Sequence, residues 1–319
     1  MKLTYFGTGE FAVAPLKALH ESGHEIIVAV SQPDRPVGRG QSVAPTAVHA
    51  AADSLGIRHI QAQDVNAIPT RDLIDSAELC VVVAFGQKIG AELLRAPPRG
   101  FINIHGSLLP KYRGAAPIQW AVINGEIETG VTIFQLNEKW DAGPIWSMRA
   151  TPVGALETAD ELHDRLSLIG AHLLIETLHA YSTGALQPQV QDASQSTRAR
   201  KLTRADSALD WALPAKQVVN RIHGLWSWPT ATCVLASRSE RVQFARACVV
   251  DDAPPTHENP PGIILADGVV QTGAGRIRLM EVRPSGGKVM SWPAFANGRR
   301  ISSPDHWLPI ADNEPSTSR

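Results

Sequence analysis

Cysteine is scarce in this chain of 319 residues: Cys80, Cys233 and Cys248 are the only three, and none stands in a C-x-x-C spacing. Three thiols cannot pair evenly, so neither a disulfide framework nor a zinc site is expected, and a reducing cytoplasm suits the chain best. Charge is sparse too, at 19% of residues against 44% hydrophobic ones. That ratio excludes disorder of the whole chain and supplies enough apolar side chains for two ordinary domains. Long apolar runs are missing. The longest, residues 79–85, is the length of a strand, well short of the roughly 18 to 20 residues that a membrane-spanning helix needs. Residues 1–7 hold one lysine and then a strand-like run, not a charged segment with a long apolar stretch behind it, so secretion is not expected. The net charge of −1 divides mildly, slightly acidic up to residue 203 and slightly basic beyond it. A basic second half suits a phosphate-bearing partner and equally an ordinary solvated surface.

Runs rich in Val, Ile and Leu recur through the first half, at 2–6, 25–30, 79–84, 101–105 and 130–136. Buried strands read this way. Between them lie stretches of helical period at 11–21, 46–55, 88–94 and 116–124, with a longer helix expected over 157–181. Strand alternating with helix predicts an α/β fold with a doubly wound, mostly parallel sheet. Its ligands belong at the loops that follow the strand ends. Residues 194–200 have no apolar period and read as an exposed connector. Beyond come a helix at 214–222 and short β-type runs at 230–235, 242–250, 262–265, 269–272 and 276–282, punctuated by Gly, Pro and Asp. These predict a small C-terminal β-barrel, OB-like. We therefore expect a catalytic domain over 1–188, a linker over 189–206 and a barrel domain over 207–319, with a polar frayed tail at 311–319.

Gly7-Thr8-Gly9-Glu10-Phe11-Ala12 matches the dinucleotide turn G-x-G-x-x-G/A, but that fold also needs an acid at the end of the second strand, about 20 residues on. The strand ends Val28-Ala29-Val30-Ser31-Gln32, so a tight strand-to-helix turn is the preferred reading and cofactor binding a rival. Residues 32–41 hold two prolines, two glycines, Arg35 and Arg39, and can be neither helix nor central strand. Arg35 and Arg39 could reach phosphates from there. A solvated loop is the plain alternative.

The sharpest signal is Asn103-Ile104-His105-Gly106-Ser107-Leu108-Leu109-Pro110. Positions i and i+2 of a strand share a face, so Asn103 and His105 project together, and Asn is a poor strand residue to find there. The next strand is followed by Asn137-Glu138-Lys139-Trp140-Asp141, which puts a carboxylate beyond a neighbouring strand. Asn, His and Asp at one edge make an oxyanion donor, an imidazole and a carboxylate that orients it. No nucleophile accompanies them, since Ser107 is in no G-x-S-x-G elbow and Cys80 is mid-strand. Direct attack by the substrate is expected, with no metal.

At these residues the chain resembles the methionyl-tRNA formyltransferases. The likeness continues through Tyr112-Arg113-Gly114-Ala115-Ala116-Pro117-Ile118-Gln119, Glu128-Thr129-Gly130-Val131-Thr132-Ile133 and the 32–40 loop. It extends to Lys201-Leu202-Thr203, Leu209-Asp210-Trp211, Trp226-Ser227-Trp228-Pro229 and Asn297-Gly298-Arg299-Arg300, nearly the whole length. The resemblance implies an enzyme that moves the formyl group of 10-formyltetrahydrofolate, a co-substrate, to the α-amine of methionine on initiator tRNA. It implies Asn103, His105 and Asp141 as catalytic residues, and Phe85, Gly86, Gln87, Ser107, Leu108, Leu109 and Pro110 at the folate. Arg35 and Arg39 would face tRNA, and a cytoplasmic monomer without membrane contact is expected.

This chain departs from the family pattern at Gly9, where Pro is usual, at Ala142-Gly143-Pro144 in place of Thr-Gly-Asp, and at Gln41-Ser42, where the family is often more basic. Three rivals remain at this stage. They are a formyltransferase of an amino-sugar nucleotide or other small amine, an NAD-dependent dehydrogenase built on the Gly7 turn, and a non-catalytic RNA-binding protein.

Overall fold

A computed structural model describes residues 1–37, 42–74, 76–254, 259–301 and 303–310. The chain forms two compact units, one of residues 1–117, 128–152 and 163–199, the other of residues 118–127, 153–162 and 200–319. In chain order the elements up to residue 199 are β1 (Lys2–Gly7), α1 (Val13–Glu21), β2 (Glu25–Ser31), β3 (Arg35–Val37), β4 (Ser42–Ala44), α2 (Ala47–Ser54), β5 (His59–Gln61), α3 (Thr70–Leu73), β6 (Leu79–Val83), α4 (Ala91–Arg95), β7 (Phe101–His105), β8 (Arg113–Gly114), α5 (Pro117–Ile123), β9 (Glu128–Gln135), β10 (Ile145–Pro152), α6 (Ala159–Ser182) and β11 (Arg198–Ala199). The first unit's main sheet runs β10-β9-β7-β6-β1-β2-β5. It is mostly parallel, as the sequence predicts.

Continuous apolar runs suit strands covered on both faces, and β6 is buried along its whole length. Phe6 meets Phe85 edge-on at 5.6 Å and Phe101 at 5.5 Å, within a cluster that includes Val28, Val30, Cys80 and Val82. Each such side chain contributes about 1.5–3 kcal/mol. From β1 the chain steps outward through β2 and β5, then returns to lay β6 and β7 on the other side of β1. The β1/β6 gap is therefore the switch point where such sheets bind ligands.

One feature differs from the expectation and a second adds to it. Strand β9 is antiparallel to β7, with Gln135 opposite Ile102 and Thr132 opposite His105, and β10 adds a second antiparallel strand at the edge. Strand β9 therefore delivers its end beside the start of β7, not beside its close. Residues 35–37 and 42–44 form a small two-stranded sheet, β3 with β4, outside the central one. Proline tolerates such an edge. Residues 38–41 of that loop, Arg39 among them, lie outside the described residues, as does the 311–319 tail.

In the second unit, α7 (Ala215–Leu225), β12 (Thr232–Leu235), β13 (Glu240–Asp251), β14 (Ile263–Ile264), β15 (Val269–Gln271), β16 (Arg276–Pro284), β17 (Met290–Ser291), α8 (Trp292–Arg299) and β18 (Asp305–Pro309) follow one another. The order β13-β12-β18-β14-β15-β16 closes through pairing of β16 with β13, a six-strand antiparallel barrel. Strand β18, between β12 and β14, carries Trp307, which stands edge-on to Phe244 at 4.9 Å in the barrel core.

His223 on α7 is buried, and its Nε2 accepts from the Ala247 N–H at 3.2 Å. Burial, with the nearby Arg246 charge second, pushes its pKa from 6.5 down to about 4. The unfolded chain then takes up a proton below pH 6.5 that the folded chain refuses until about pH 4. Stability from this group is complete above pH 6.5 and is lost as pH falls towards 4, by about 3 kcal/mol in all. Glu161, held down at about 2 chiefly by its hydrogen bond from Arg246, acts in a lower window. Urea midpoints should fall between pH 6.5 and 4 in the wild type and fall less in His223→Gln. Equal slopes in both would remove His223 from the acid response.

Candidate active site

On β7, Asn103 lies between Val82 of β6 and Phe134 of β9, and His105 lies opposite Thr132. Ladder bonds on both sides fix their register, so both side chains leave the same face. His105 is buried, and its Nε2–H donates to the Tyr112 carbonyl at 2.9 Å. A carbonyl can only accept, so Nε2 carries a hydrogen, and no hydrogen bond to Nδ1 is present among the described residues.

Asp141 does not arrive from a parallel strand end. The β9–β10 hairpin loop, residues 136–144, folds back and carries it there, with the Asp141 backbone left-handed at φ 48°. Its Oδ2 accepts from the Gly114 N–H at 2.8 Å. Among the described residues no hydrogen bond joins Asp141 to His105, so the expected orienting contact is replaced by separate anchors on neighbouring residues, Tyr112 for His105 and Gly114 for Asp141. Asn103 and Asp141 line one cavity of about 60 Å³ with Val82, Gln87, Leu136 and Trp140. His105 is not among its lining residues. Ala84 and Tyr112 are left-handed as well, at φ 43° and 60°. For residues with a Cβ such backbone costs about 1–3 kcal/mol each and gathers where function holds it in place.

The residues expected at the folate divide by role. Gln87 lines the cavity while its amide grips the 62–65 segment, accepting from Val65 N at 2.8 Å and donating to Ala62 O at 2.7 Å. Gly86 is left-handed at φ 79°, and Phe85 sits in the core. Ser107 is buried and donates to Lys111 O at 2.7 Å, while Thr132 Oγ1 donates to Ser107 O at 2.6 Å and accepts from Leu109 N at 3.1 Å. Leu109 is buried, and Leu108 and Pro110 are half-buried. The 107–110 loop is thus tied down by three hydrogen bonds, but its side chains are outside the cavity lining.

A larger cavity, about 410 Å³, opens at the switch point and is lined by Thr8, Gly9, Gln32, Arg35, Thr46 and Ala84 among others. Arg35 is exposed and donates to Gln32 Oε1. Gly9 has φ −85°, and open space surrounds the place of a Cβ. A Cβ would therefore fit there, and the turn does not depend on glycine at this position. Asp34, three residues past the end of β2, is engaged within the chain. Its carboxylate already accepts from Thr46 N at 2.9 Å, His49 Nδ1 at 3.0 Å and Gln61 Nε2 at 2.8 Å. Against a burial effect that would raise its pKa, the His49 hydrogen bond leads the contacts that hold it low.

Sequence reasoning missed Tyr112, Gly114 and Gln191 as supports. Gly114 alone left a signal. At φ 125° a Cβ there would stand 2.4 Å from Ala199 O, so only glycine fits.

The profile described as "Formyl transferase" matches residues 1–178, and that of "Formyl transferase, C-terminal domain" matches 201–300. Among solved structures, the sugar 3N-formyl transferase WlaRD is similar with a TM-score of 0.65 at 16% identity, covering 88% of this chain and 97% of that one. An N-formyltransferase from Helicobacter canadensis gives 0.66 at 15%, covering 88% and 99%. These likenesses concern the fold. The methionyl-tRNA formyltransferase of Solibacter usitatus is 38% identical over 95% of this chain and 97% of its own length. That of Heliobacterium modesticaldum is 43% identical over 94% of this chain and 98% of its own. With both halves matched and likeness at this level from end to end, the chain belongs to the methionyl-tRNA formyltransferase family.

Proposed function

We propose that this protein transfers the formyl group of 10-formyltetrahydrofolate to the α-amine of methionine esterified to initiator tRNA, in the cytoplasm, for translation initiation. The observation that carries the reading is the meeting of Asn103 and Asp141 in one cavity on a chain alike to the family over nearly its whole length. An α-amine has a pKa of about 7.7–8.0, so a useful fraction is already neutral near pH 7 and attacks without a strong base. Attack on the formyl carbon places negative charge on its oxygen, and the Asn103 amide donates a hydrogen bond to it. His105, held through its Nε2–H by the Tyr112 carbonyl, serves the reaction from the same face of β7 as Asn103. Asp141 takes the proton released by the amine and passes it to the departing folate nitrogen, so that the proton count closes. The folate lies by 85–87 and 107–110. Most of residues 1–188 serves the chemistry, 189–206 both joins the two parts and braces the Asp141 loop, and 207–319 serves tRNA together with Arg35 and Arg39.

Formyl transfer to charged initiator tRNA, to free methionine and to an amino-sugar nucleotide tests this directly. Turnover with charged tRNA alone is expected, and preference for the sugar nucleotide would overturn the reading. Cofactor fluorescence titration with NAD separates the dehydrogenase rival, and turnover itself excludes a purely RNA-binding protein. Arg35→Ala should weaken use of charged tRNA, leave folate affinity intact and flatten the log–log salt dependence by roughly 0.7–0.9 for a lost phosphate contact. An unchanged slope and affinity would take Arg35 off the tRNA surface.

A further inference from the structure

Gln191 is a neutral polar side chain only 8% exposed, in a stretch that is otherwise mostly open to solvent. A carboxamide offers two N–H donors and two acceptor sites, and here all four are used. Nε2 donates to Asp141 O at 3.0 Å and to Gly143 O at 2.8 Å. Oε1 accepts from Arg113 Nε at 3.2 Å and Nη2 at 2.7 Å. The residue after Arg113 is Gly114, whose N–H holds the Asp141 carboxylate. One amide thus ties together the two segments between which that carboxylate is suspended.

The neighbouring chain strengthens the bracket. Gln189 exchanges backbone hydrogen bonds with Ile145 at 2.7 and 2.8 Å, just past the Asp141 loop. Thr197 accepts from Tyr112 N at 2.8 Å through its hydroxyl and from Arg113 N at 2.9 Å through its carbonyl. β11 then pairs with β8. Asp141 is held left-handed with nothing in its own sequence to favour that conformation except the tolerance of Asp for it. Fixing such a residue needs partners for its backbone, and Gln191 supplies one.

We propose that Gln191 is a positioning residue for formyl transfer: its carboxamide locks loop 141–143 to Arg113 and so sets where the Asp141 carboxylate stands. The inference rests on the formyl transfer proposed above. Glutamate in its place removes both donors and turns an anionic oxygen towards two carbonyls. Methionine removes the polar contacts and keeps the shape.

Wild-type turnover is measured first. Its absence would refute the functional reading and not this one. Given turnover, Gln191→Glu is expected to lower kcat by on the order of tenfold to a hundredfold, as small misplacements of a reacting group do. KM for charged tRNA and for the formyl donor should stay within about twofold, and the same substitution made in Asp141→Asn should cost less than about threefold, because the two changes act through one group. Hydrogen exchange at the Gly114 amide should quicken in Gln191→Glu. Gln191→Met carries the same cycle if the glutamate variant melts early. An unchanged kcat, or an equal loss in both backgrounds, would overturn the proposal, as would failure of both variants to fold, which would make Gln191 a residue of stability alone.

Discussion

Asn103→Ala is expected to lower the rate of formyl transfer by about 10²- to 10³-fold, the usual loss when one oxyanion donor is removed. The backbone at this position is held from both sides, by Val82 and by Phe134, so truncation deletes the amide without moving the strand. The side chain is half-buried and lines the 60 Å³ cavity. An amide there is costly in a strand interior unless it has work in the cavity. Donor binding should change little, because the lost hydrogen bond strengthens only as charge develops on the formyl oxygen. Single-turnover rates at saturating donor and charged tRNA measure this. A rate within threefold of wild type, on the order of half a kcal/mol, would take Asn103 out of the reaction.

Asp141→Asn should be nearly as damaging, about 10²-fold or more, because an amide cannot accept the migrating proton. The fold should survive. Asparagine is among the residues that tolerate left-handed backbone best, which suits φ 48°, and its carbonyl oxygen can still accept from Gly114 N. Asp141→Ala, lacking both properties, should lose activity and melt earlier. Comparing Tm and turnover for the two variants separates chemistry from loop geometry. Full activity in Asp141→Asn would assign the proton transfer elsewhere.

The parallel half of the sheet was readable because strands buried on both faces leave uninterrupted Val, Ile and Leu runs, as in β2, β6 and β7. Their direction is another matter. Periodicity is blind to it, so β9 read as one more parallel strand when it runs the opposite way. The edge strand β10 escaped notice because one of its faces is solvated and it holds Arg149 and Pro152. The barrel strands were legible in outline, but β18, flanked by prolines and opening on Asp305, was not. At the site, the shared face of Asn103 and His105 followed from spacing alone. The path of Asp141 depends on a hairpin folding back, and the burial of Gln191 depends on loops far away in sequence. Neither leaves a local pattern.

The second unit is discontinuous, and that bears on how the protein is made. Residues 118–127 and 153–162 leave the ribosome well before the partners they pack with. A side chain at Gly224 would meet Ile123 at 2.5 Å, so α7 and α5 lie backbone to backbone. Glu161 waits for Arg246, whose Nη2 stands 2.7 Å from its Oε1. Those early segments lack these particular partners during synthesis until the barrel emerges. A chain cut after residue 188 would keep that exposure permanently and would also lack Gln191 and Thr197, so deleting the barrel does not release a clean catalytic module.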